Sequence, residues 1–237
     1  MNFSEIKTPE DVRAFMENIS KQMMEGFRRE QLQKGENYKT LNKVAVKGQI
    51  LFTGSSLMEQ FPVCELAQTI KLDKKVYNRG IGGTTTEDFI REIDTVLLDL
   101  EPSKVFINIG TNDMSKEPYG DRWMEQLLKN YGKILKILKE RLPYTEVFLM
   151  AYYPVNDAYV NENPTAASML EVRTMDNINK INGEIEKLTG DFGYQYINVN
   201  EGLLGADGKL KLEYTIEGVH MYAAAYEVVF ENLKKYL

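Results

Sequence analysis

The chain contains one cysteine, one histidine and one tryptophan among its 237 residues. Cys64 has no second cysteine in the chain to pair with, which excludes an internal disulfide. One cysteine and one histidine cannot supply a usual zinc ligand set, although an all-oxygen carboxylate site stays open. We therefore expect no cofactor and no metal. Any chemistry that needs an imidazole must use His220.

The chain also lacks an excess of basic residues and any long apolar run. It has 29 Lys and Arg against 35 Asp and Glu, and its aromatic residues do not alternate with basic clusters, so nucleic acid is not an expected partner. No apolar run approaches the ~20 residues that cross a bilayer, which argues against stable membrane insertion. The first residues carry acids throughout and do not resemble a secretory signal. We expect a cytoplasmic protein.

The N-terminal segment predicts a helix. Thr8 is a candidate N-cap, Pro9 suits the first helical position, and Asp11 is the acid that completes the start signal. This helix either packs on its own domain or joins two copies into a homo-oligomer. We assign residues 1–47 to an N-terminal helical extension and 48–237 to the main domain. The apolar residues at helical spacing are Val12, Phe15, Met16, Ile19, Met23 and Phe27.

From residue 48 onward, short β-rich runs alternate with long amphipathic segments. This pattern is typical of parallel strands joined by crossover helices. It predicts a doubly wound α/β sandwich with about five parallel strands. The candidate strands are Gln49–Thr53, Lys75–Asn78, Lys104–Ile109, Glu146–Tyr152 and Tyr194–Val199.

Four polar, glycine-containing segments lie where such a fold places ligands. In doubly wound sheets the loops at the carboxyl ends of the strands converge around a crevice. We expect the four segments to face one another there. They are Gly54-Ser-Ser-Leu57, Gly80-Ile-Gly-Gly83, Gly110-Thr-Asn-Asp113 and Glu217-Gly-Val-His220.

His220 is the candidate general base, because a serine hydroxyl needs an imidazole to remove its proton. That imidazole works best when a carboxylate orients it, and Glu217 lies three residues earlier in the same segment. Taken alone, a single histidine is more often a surface or packed residue.

Three other residues have both a structural and a functional interpretation. Ser56 either caps a helix or acts as the nucleophile. Gly83 either permits a tight turn or points an unobstructed N–H at an oxyanion. Asn112 either closes an Asx-turn or donates its amide to the same oxyanion.

Taken together and in order, the four segments resemble the GDSL family, also called SGNH hydrolases, over residues ~48–237, in a chain order suited to its flavodoxin-like sandwich fold. The resemblance places the nucleophile at Ser56, the oxyanion glycine at Gly83, the oxyanion asparagine at Asn112 and the base at His220. The Ser56 backbone N–H completes the implied oxyanion hole.

Two positions depart from the family pattern. Ser55 stands where the family usually has aspartate, at a supportive position. Glu217 stands where the family has the aspartate that orients the histidine, and its extra methylene moves the carboxylate outward. Either the loop is adjusted to receive glutamate or another group orients His220. We favour the adjusted loop, because glutamate serves this role in other triads.

Two further segments are similar to family sequences. Tyr152-Tyr-Pro-Val-Asn156 resembles a loop that lines the substrate crevice, which makes Tyr153, Pro154 and Val155 candidate substrate-binding residues. Arg173, Thr174 and Asn177 resemble the start of a family helix. Either segment can instead be structural, because polar side chains commonly satisfy loop backbone.

The resemblance implies a serine esterase or acylhydrolase acting on a small-molecule ester. We expect short-chain carboxylic esters, in particular O-acetyl groups on carbohydrate. Lysophospholipase or thioesterase activity is the alternative within the same class. The hypothesis from another class is a binding module that keeps the fold without turnover.

Overall fold

The computed structural model describes residues 8–161 and 167–237. At its centre lies a five-stranded sheet in which all neighbouring strands are parallel. The strand order, 2-1-3-4-5, is that of flavodoxin-like folds and confirms the predicted α/β class. The strands are β1 (Ile50–Gly54), β2 (Val76–Asn78), β3 (Lys104–Asn108), β4 (Glu146–Met150) and β5 (Gln195–Ile197).

Helices cover both faces of the sheet and make the molecule a three-layer sandwich. α6 and α8 pack in the hydrophobic core on one face, whereas α9 packs in the core on the other. The helices are α1 (Pro9–Asn42), α2 (Ser56–Glu59), α3 (Val63–Leu66), α4 (Thr86–Arg91), α5 (Ile93–Val96), α6 (Trp123–Arg141), α7 (Ala167–Leu170), α8 (Met175–Phe192) and α9 (Ala223–Leu233).

Successive residues of the central strands point their side chains into opposite cores, because side chains alternate across a strand. Leu51 belongs to the core under α6 and α8, whereas Phe52 belongs to the core under α9. Phe52, Phe106 and Phe148 stack across three neighbouring strands, with ring centroids 4.6 and 4.8 Å apart. A strand that is buried on both faces is apolar throughout, which is why these strands appear as continuous apolar runs.

The last two strands end earlier than the sequence predicts. β4 stops at Met150 rather than Tyr152, and β5 stops at Ile197 rather than Val199. The backbone N–H of Tyr152 donates to the side chain of Asn182, at 2.8 Å, instead of to a neighbouring strand. From Tyr152 onward the chain stays apolar and buried, but it no longer forms the hydrogen-bond ladder of the sheet.

Helix α1 begins at the predicted N-cap, and only part of its length packs on the domain. Thr8 and Asp11 form a reciprocal capping box, with proline in the first turn. Its 34 residues span about 51 Å. The C-terminal half packs on the domain, where the Asn42 amide donates to the Thr95 carbonyl at 2.8 Å. The N-terminal half leaves Val12, Met16, Met23 and Met24 exposed. Oligomerisation through this helix stays a prediction, as does the boundary at residue 47.

Within residues 8–161 and 167–237, none of the helices combines the length and the apolar character that crossing a bilayer requires.

The four glycine-containing segments meet at the carboxyl edge of the sheet. The Ile81 N–H donates to the Gly54 carbonyl at 3.0 Å, which joins the segments after β2 and β1. The Ser55 N–H donates to the Asn108 carbonyl at 3.3 Å, which joins the segment after β1 to the last residue of β3. The expected crevice therefore forms from loops that the parallel sheet aligns.

Candidate active site

Ser56 is the first residue of α2 and is separated from the end of β1 by Ser55 alone. The N-cap of this helix is Ser55, whose side chain makes no capping hydrogen bond, so the capping interpretation does not describe Ser56. Its hydroxyl instead lies 2.8 Å from His220 Nε2. The structure thus places the first and last segments of the site in hydrogen-bond contact.

His220 is held at its backbone and at both ring nitrogens. Its carbonyl accepts from the Ile216 N–H at 2.9 Å and from Thr215 Oγ1 at 3.1 Å. Glu217 Oε1 lies 2.6 Å from His220 Nδ1 and accepts the His220 backbone N–H at 2.9 Å. These contacts favour the tautomer that carries its proton on Nδ1. Nε2 then has a lone pair directed at the Ser56 hydroxyl.

Glu217 reaches His220 because the loop accommodates the longer side chain. Gly218 has φ +97°, which lets the chain turn tightly, and its N–H donates to Thr215 Oγ1 at 2.7 Å. Burial raises the pKa of Glu217, but hydrogen bonds from the His220 side chain and backbone outweigh it and hold the pKa below its ordinary value. Glu217 therefore stays ionised beside the imidazole, as the adjusted-loop alternative requires.

Gly83 lies in the loop between β2 and α4. Its φ of +69° is a left-handed conformation that favours glycine. On the preceding residue, Gly82, an added Cβ would lie 3.7 Å from Ser56 Cβ. The loop therefore runs alongside the candidate nucleophile.

Asn112 has its side-chain amide fixed in one orientation. Its Nδ2 donates to the Thr84 carbonyl at 3.1 Å, and its Oδ1 accepts from Arg173 Nη2 at 3.1 Å. Both partners are distant in sequence, so the amide does not close the alternative Asx-turn. Because an amide nitrogen carries two hydrogens, the second can donate to an oxyanion.

Arg173 is a site residue whose role the sequence analysis missed. Besides Asn112, it binds the Thr111 carbonyl through Nε at 2.7 Å. Burial lowers the pKa of its guanidinium, while the charges of Glu217 and Asp113 oppose that change. Thr174 caps α8 as expected, accepting from the Asn177 N–H at 3.3 Å. No local pattern could link Arg173 to Asn112, which is 61 residues away.

Asp113 ties the Asn112 segment to the start of α4. Its carboxylate accepts from the backbone N–H of Thr86 at 2.8 Å and from the Thr86 hydroxyl. The Thr86 hydroxyl also accepts from the Asn130 amide at 2.9 Å. The two candidate oxyanion donors, Gly83 and Asn112, therefore lie on segments that are bonded to each other.

We expect Asp113 to make stability depend on pH. Burial raises the pKa of Asp113 from 3.8 to about 6, although its hydrogen bonds to Thr86 oppose the rise. The folded state therefore binds the proton more tightly than the unfolded state. The stabilisation that protonated Asp113 contributes to the folded state is present below pH 3.8 and is lost as the pH rises through about 6. Relative to Asp113→Asn, the native chain should lose up to about 3 kcal/mol of unfolding free energy across this window.

Urea unfolding of both chains between pH 4.5 and 7 measures most of this loss, about 2 kcal/mol. Asp73→Asn, which changes an exposed carboxylate, is the control. A difference between native and Asp113→Asn protein that is constant over this range would contradict the prediction.

The side chains of the predicted substrate-binding loop are buried. Tyr153 and Val155 are 1% and 3% exposed, and Pro154 is buried between them. Tyr153 packs edge-on against Tyr226 in the core under α9. These side chains offer no surface to a substrate, because the segment continues the buried run of β4. The aromatic residues of the segment therefore contribute to packing, and a substrate-binding role for it stays a prediction.

Several solved structures share this fold. A Streptococcus pneumoniae protein, provisionally described as a platelet activating factor, is 29% identical with a TM-score of 0.79, covering 92% of this chain and 98% of its own. A GDSL-like lipase from Bacteroides thetaiotaomicron is 21% identical with a TM-score of 0.68, covering 85% and 96%. An acetylxylan esterase, Axe2 from Geobacillus stearothermophilus, is 14% identical with a TM-score of 0.58, covering 81% and 95%. No curated protein sequence matches the chain significantly.

A family model, that of the GDSL-like lipase/acylhydrolase family, agrees with the resemblance shown by the four glycine-containing segments. It matches residues 59–228, a range that contains Gly83, Asn112, Glu217 and His220 and begins three residues after Ser56. The position of Ser56 therefore rests on its contact with His220 rather than on the matched range. Because the match covers more than half of its length, this chain belongs to the GDSL-like lipase/acylhydrolase family.

Proposed function

We propose that this chain is a serine esterase that hydrolyses short-chain carboxylic esters through an acyl-enzyme on Ser56. The observation that supports this most is the chain of contacts from Glu217 to His220 to Ser56, with distances of 2.6 and 2.8 Å. A hydroxyl, an imidazole and a carboxylate in this order are the parts of a nucleophile, a base and a group that orients the base.

The reaction follows from these contacts in two steps. Ser56 Oγ attacks the ester carbonyl carbon while His220 Nε2 takes the hydroxyl proton, and the carbonyl oxygen becomes an oxyanion. That oxyanion is stabilised by the N–H groups of Ser56 and Gly83 and by the Asn112 amide. The tetrahedral intermediate collapses as His220 protonates the leaving alcohol. Water, deprotonated by His220, then releases the carboxylic acid and restores Ser56.

O-acetyl groups on carbohydrate are the substrates we favour. Axe2, which shares the fold, is an acetylxylan esterase, and this supports the choice. Lysophospholipase or thioesterase activity is the alternative, and the name given to the Streptococcus pneumoniae protein is consistent with a lipid-like ester. Hydrolysis of p-nitrophenyl acetate, butyrate and octanoate separates the two. A preference for eight carbons or more would rule out the acetylesterase, whereas acetate release from acetylated xylo-oligosaccharides would support it.

Asn112→Ala should reduce kcat by about 10²–10³-fold, because one oxyanion donor is lost from a preorganised set. KM should change little, since the amide acts mainly on charge that develops in the transition state. Steady-state kinetics on p-nitrophenyl acetate measures both constants. Asn179→Ala, on the exposed face of α8, is the matched control. Equal kcat values for the two variants would contradict the role given to Asn112.

A further inference from the structure

The N-terminal helix places an aromatic ring directly against the oxyanion glycine. A Cβ added to Gly83 would lie 2.2 Å from Phe27 Cε1 and 2.3 Å from Cζ, so the ring edge occupies the space where a side chain would stand. Phe27 is nevertheless 44% exposed. The ring therefore contacts the loop with one edge and presents apolar surface to solvent beside the candidate site.

Neighbouring residues fix the part of α1 that carries Phe27. Gln31, one turn after Phe27, donates its amide to the Gly82 carbonyl at 2.7 Å. Arg28 forms an ion pair with Asp88 at 2.9 Å. Both contacts bind α1 to the loop that carries Gly83 and to the helix that follows it.

A second set of contacts fixes the other side of the same loop. Lys34 pairs with Glu59 at 2.6 Å, and the Glu59 carboxylate accepts the Gly82 N–H. Tyr38 donates its hydroxyl to the Gly80 carbonyl at 3.0 Å. Because Glu59 belongs to α2, which begins with Ser56, these bonds connect the nucleophile's helix, the oxyanion loop and α1. The position of Phe27 relative to Ser56 is thus constrained by several bonds.

The geometry of the proposed reaction indicates which part of an ester meets this ring. His220 must protonate the leaving alcohol, so the alcohol lies on the His220 side of the carbonyl carbon. The oxyanion points to Gly83 and Asn112. The acyl substituent takes the remaining direction, away from the imidazole. The Phe27 ring abuts Gly83, on the oxyanion side of the candidate nucleophile.

We propose that Phe27 is a specificity-determining residue that forms the wall of the acyl site and limits the length of the acyl group. This rests on the proposed esterase function. Phe27 lies outside the range that the family model matches. In this proposal the N-terminal helix supplies part of the acyl site. A small acyl group packs against the ring, whereas a longer chain must displace it.

The test compares Phe27→Ala with the native chain on p-nitrophenyl acetate, butyrate and octanoate. Removing the ring should raise the octanoate-to-acetate ratio of kcat/KM at least about tenfold, since even one methylene in an apolar pocket is discriminated by about this factor or more. Phe27→Leu should give an intermediate ratio. Leu41→Ala, an exposed apolar residue about 21 Å further along α1, is the matched control and should leave the ratio unchanged.

The outcomes separate this inference from the proposed function. An active native enzyme whose ratio does not change in Phe27→Ala, or falls, overturns the acyl-wall role and leaves the esterase intact. Failure of the native chain to hydrolyse any of the three esters overturns both. Because Phe27 is exposed, we expect Phe27→Ala to melt within a few degrees of the native chain, and circular dichroism checks this.

Discussion

Ser56→Ala will lower kcat for p-nitrophenyl acetate by about 10⁶-fold, the loss expected when the nucleophile of a serine triad is removed. Without Oγ no acyl-enzyme forms, and the oxyanion donors alone give only weak catalysis. The fold should not change, because Ser56 is the first residue of a short helix and its backbone bonds do not need the hydroxyl. Stopped assays at high enzyme concentration measure the residual rate.

Ser55→Ala is the matched control, because it removes the neighbouring hydroxyl. Ser55 is fully buried, and among the described residues its Oγ has no hydrogen-bond partner. Its loss should cost less than about tenfold in kcat, since no bond is broken and only a small void is left. If Ser55→Ala is inactive and Ser56→Ala is active, the nucleophile has been assigned to the wrong serine.

Glu217→Ala will lower kcat by about 10⁴-fold, with KM little changed. The variant loses the acceptor that holds Nδ1 of His220, at 2.6 Å, and the charge that stabilises the imidazolium. It also loses the acceptor of the His220 backbone N–H, so the loop position changes as well. Single-turnover kinetics distinguishes the loss of chemistry from weaker binding.

Two further substitutions separate the functions of this carboxylate. Glu217→Gln keeps the size of the side chain but removes the charge, and its amide can donate to Nδ1 and favour the wrong tautomer, so its kcat should fall about as far as that of the alanine variant. Glu217→Asp keeps the charge but shortens the reach by one methylene, and it should also lose activity in a loop built for glutamate. Glu213→Ala, an exposed acid on the same loop, should retain native kcat. Native activity in Glu217→Ala would mean that another group orients His220.

Much of the fold follows from the amino-acid pattern. Strands such as Ile50–Gly54 are buried on both faces and therefore stand out as apolar runs between amphipathic helices. Their ends are less predictable. Tyr152 continues the run in composition, yet its N–H binds Asn182 instead of a strand. The same burial encloses Tyr153 and Val155, whose sequence resembles a substrate-binding loop.

The site was predictable where chain order and strand ends determine it. The carboxyl ends of parallel strands bring Ser56, Gly83 and Asn112 to one edge, and the single histidine leaves no other choice of base. The supporting contacts were not predictable. Arg173 binds Asn112 from 61 residues away, and Gln31 binds the Gly82 carbonyl from 51 residues away. Such pairs depend on how helices pack, which a single sequence does not specify.

The most direct test of the central claim is labelling of the native chain with a fluorophosphonate, followed by peptide mass spectrometry. This reagent forms a covalent bond with a serine that a neighbouring base activates. We predict one labelled site, Ser56, and loss of labelling in His220→Ala. A folded chain that remains unlabelled, or one labelled at another residue, would contradict the account.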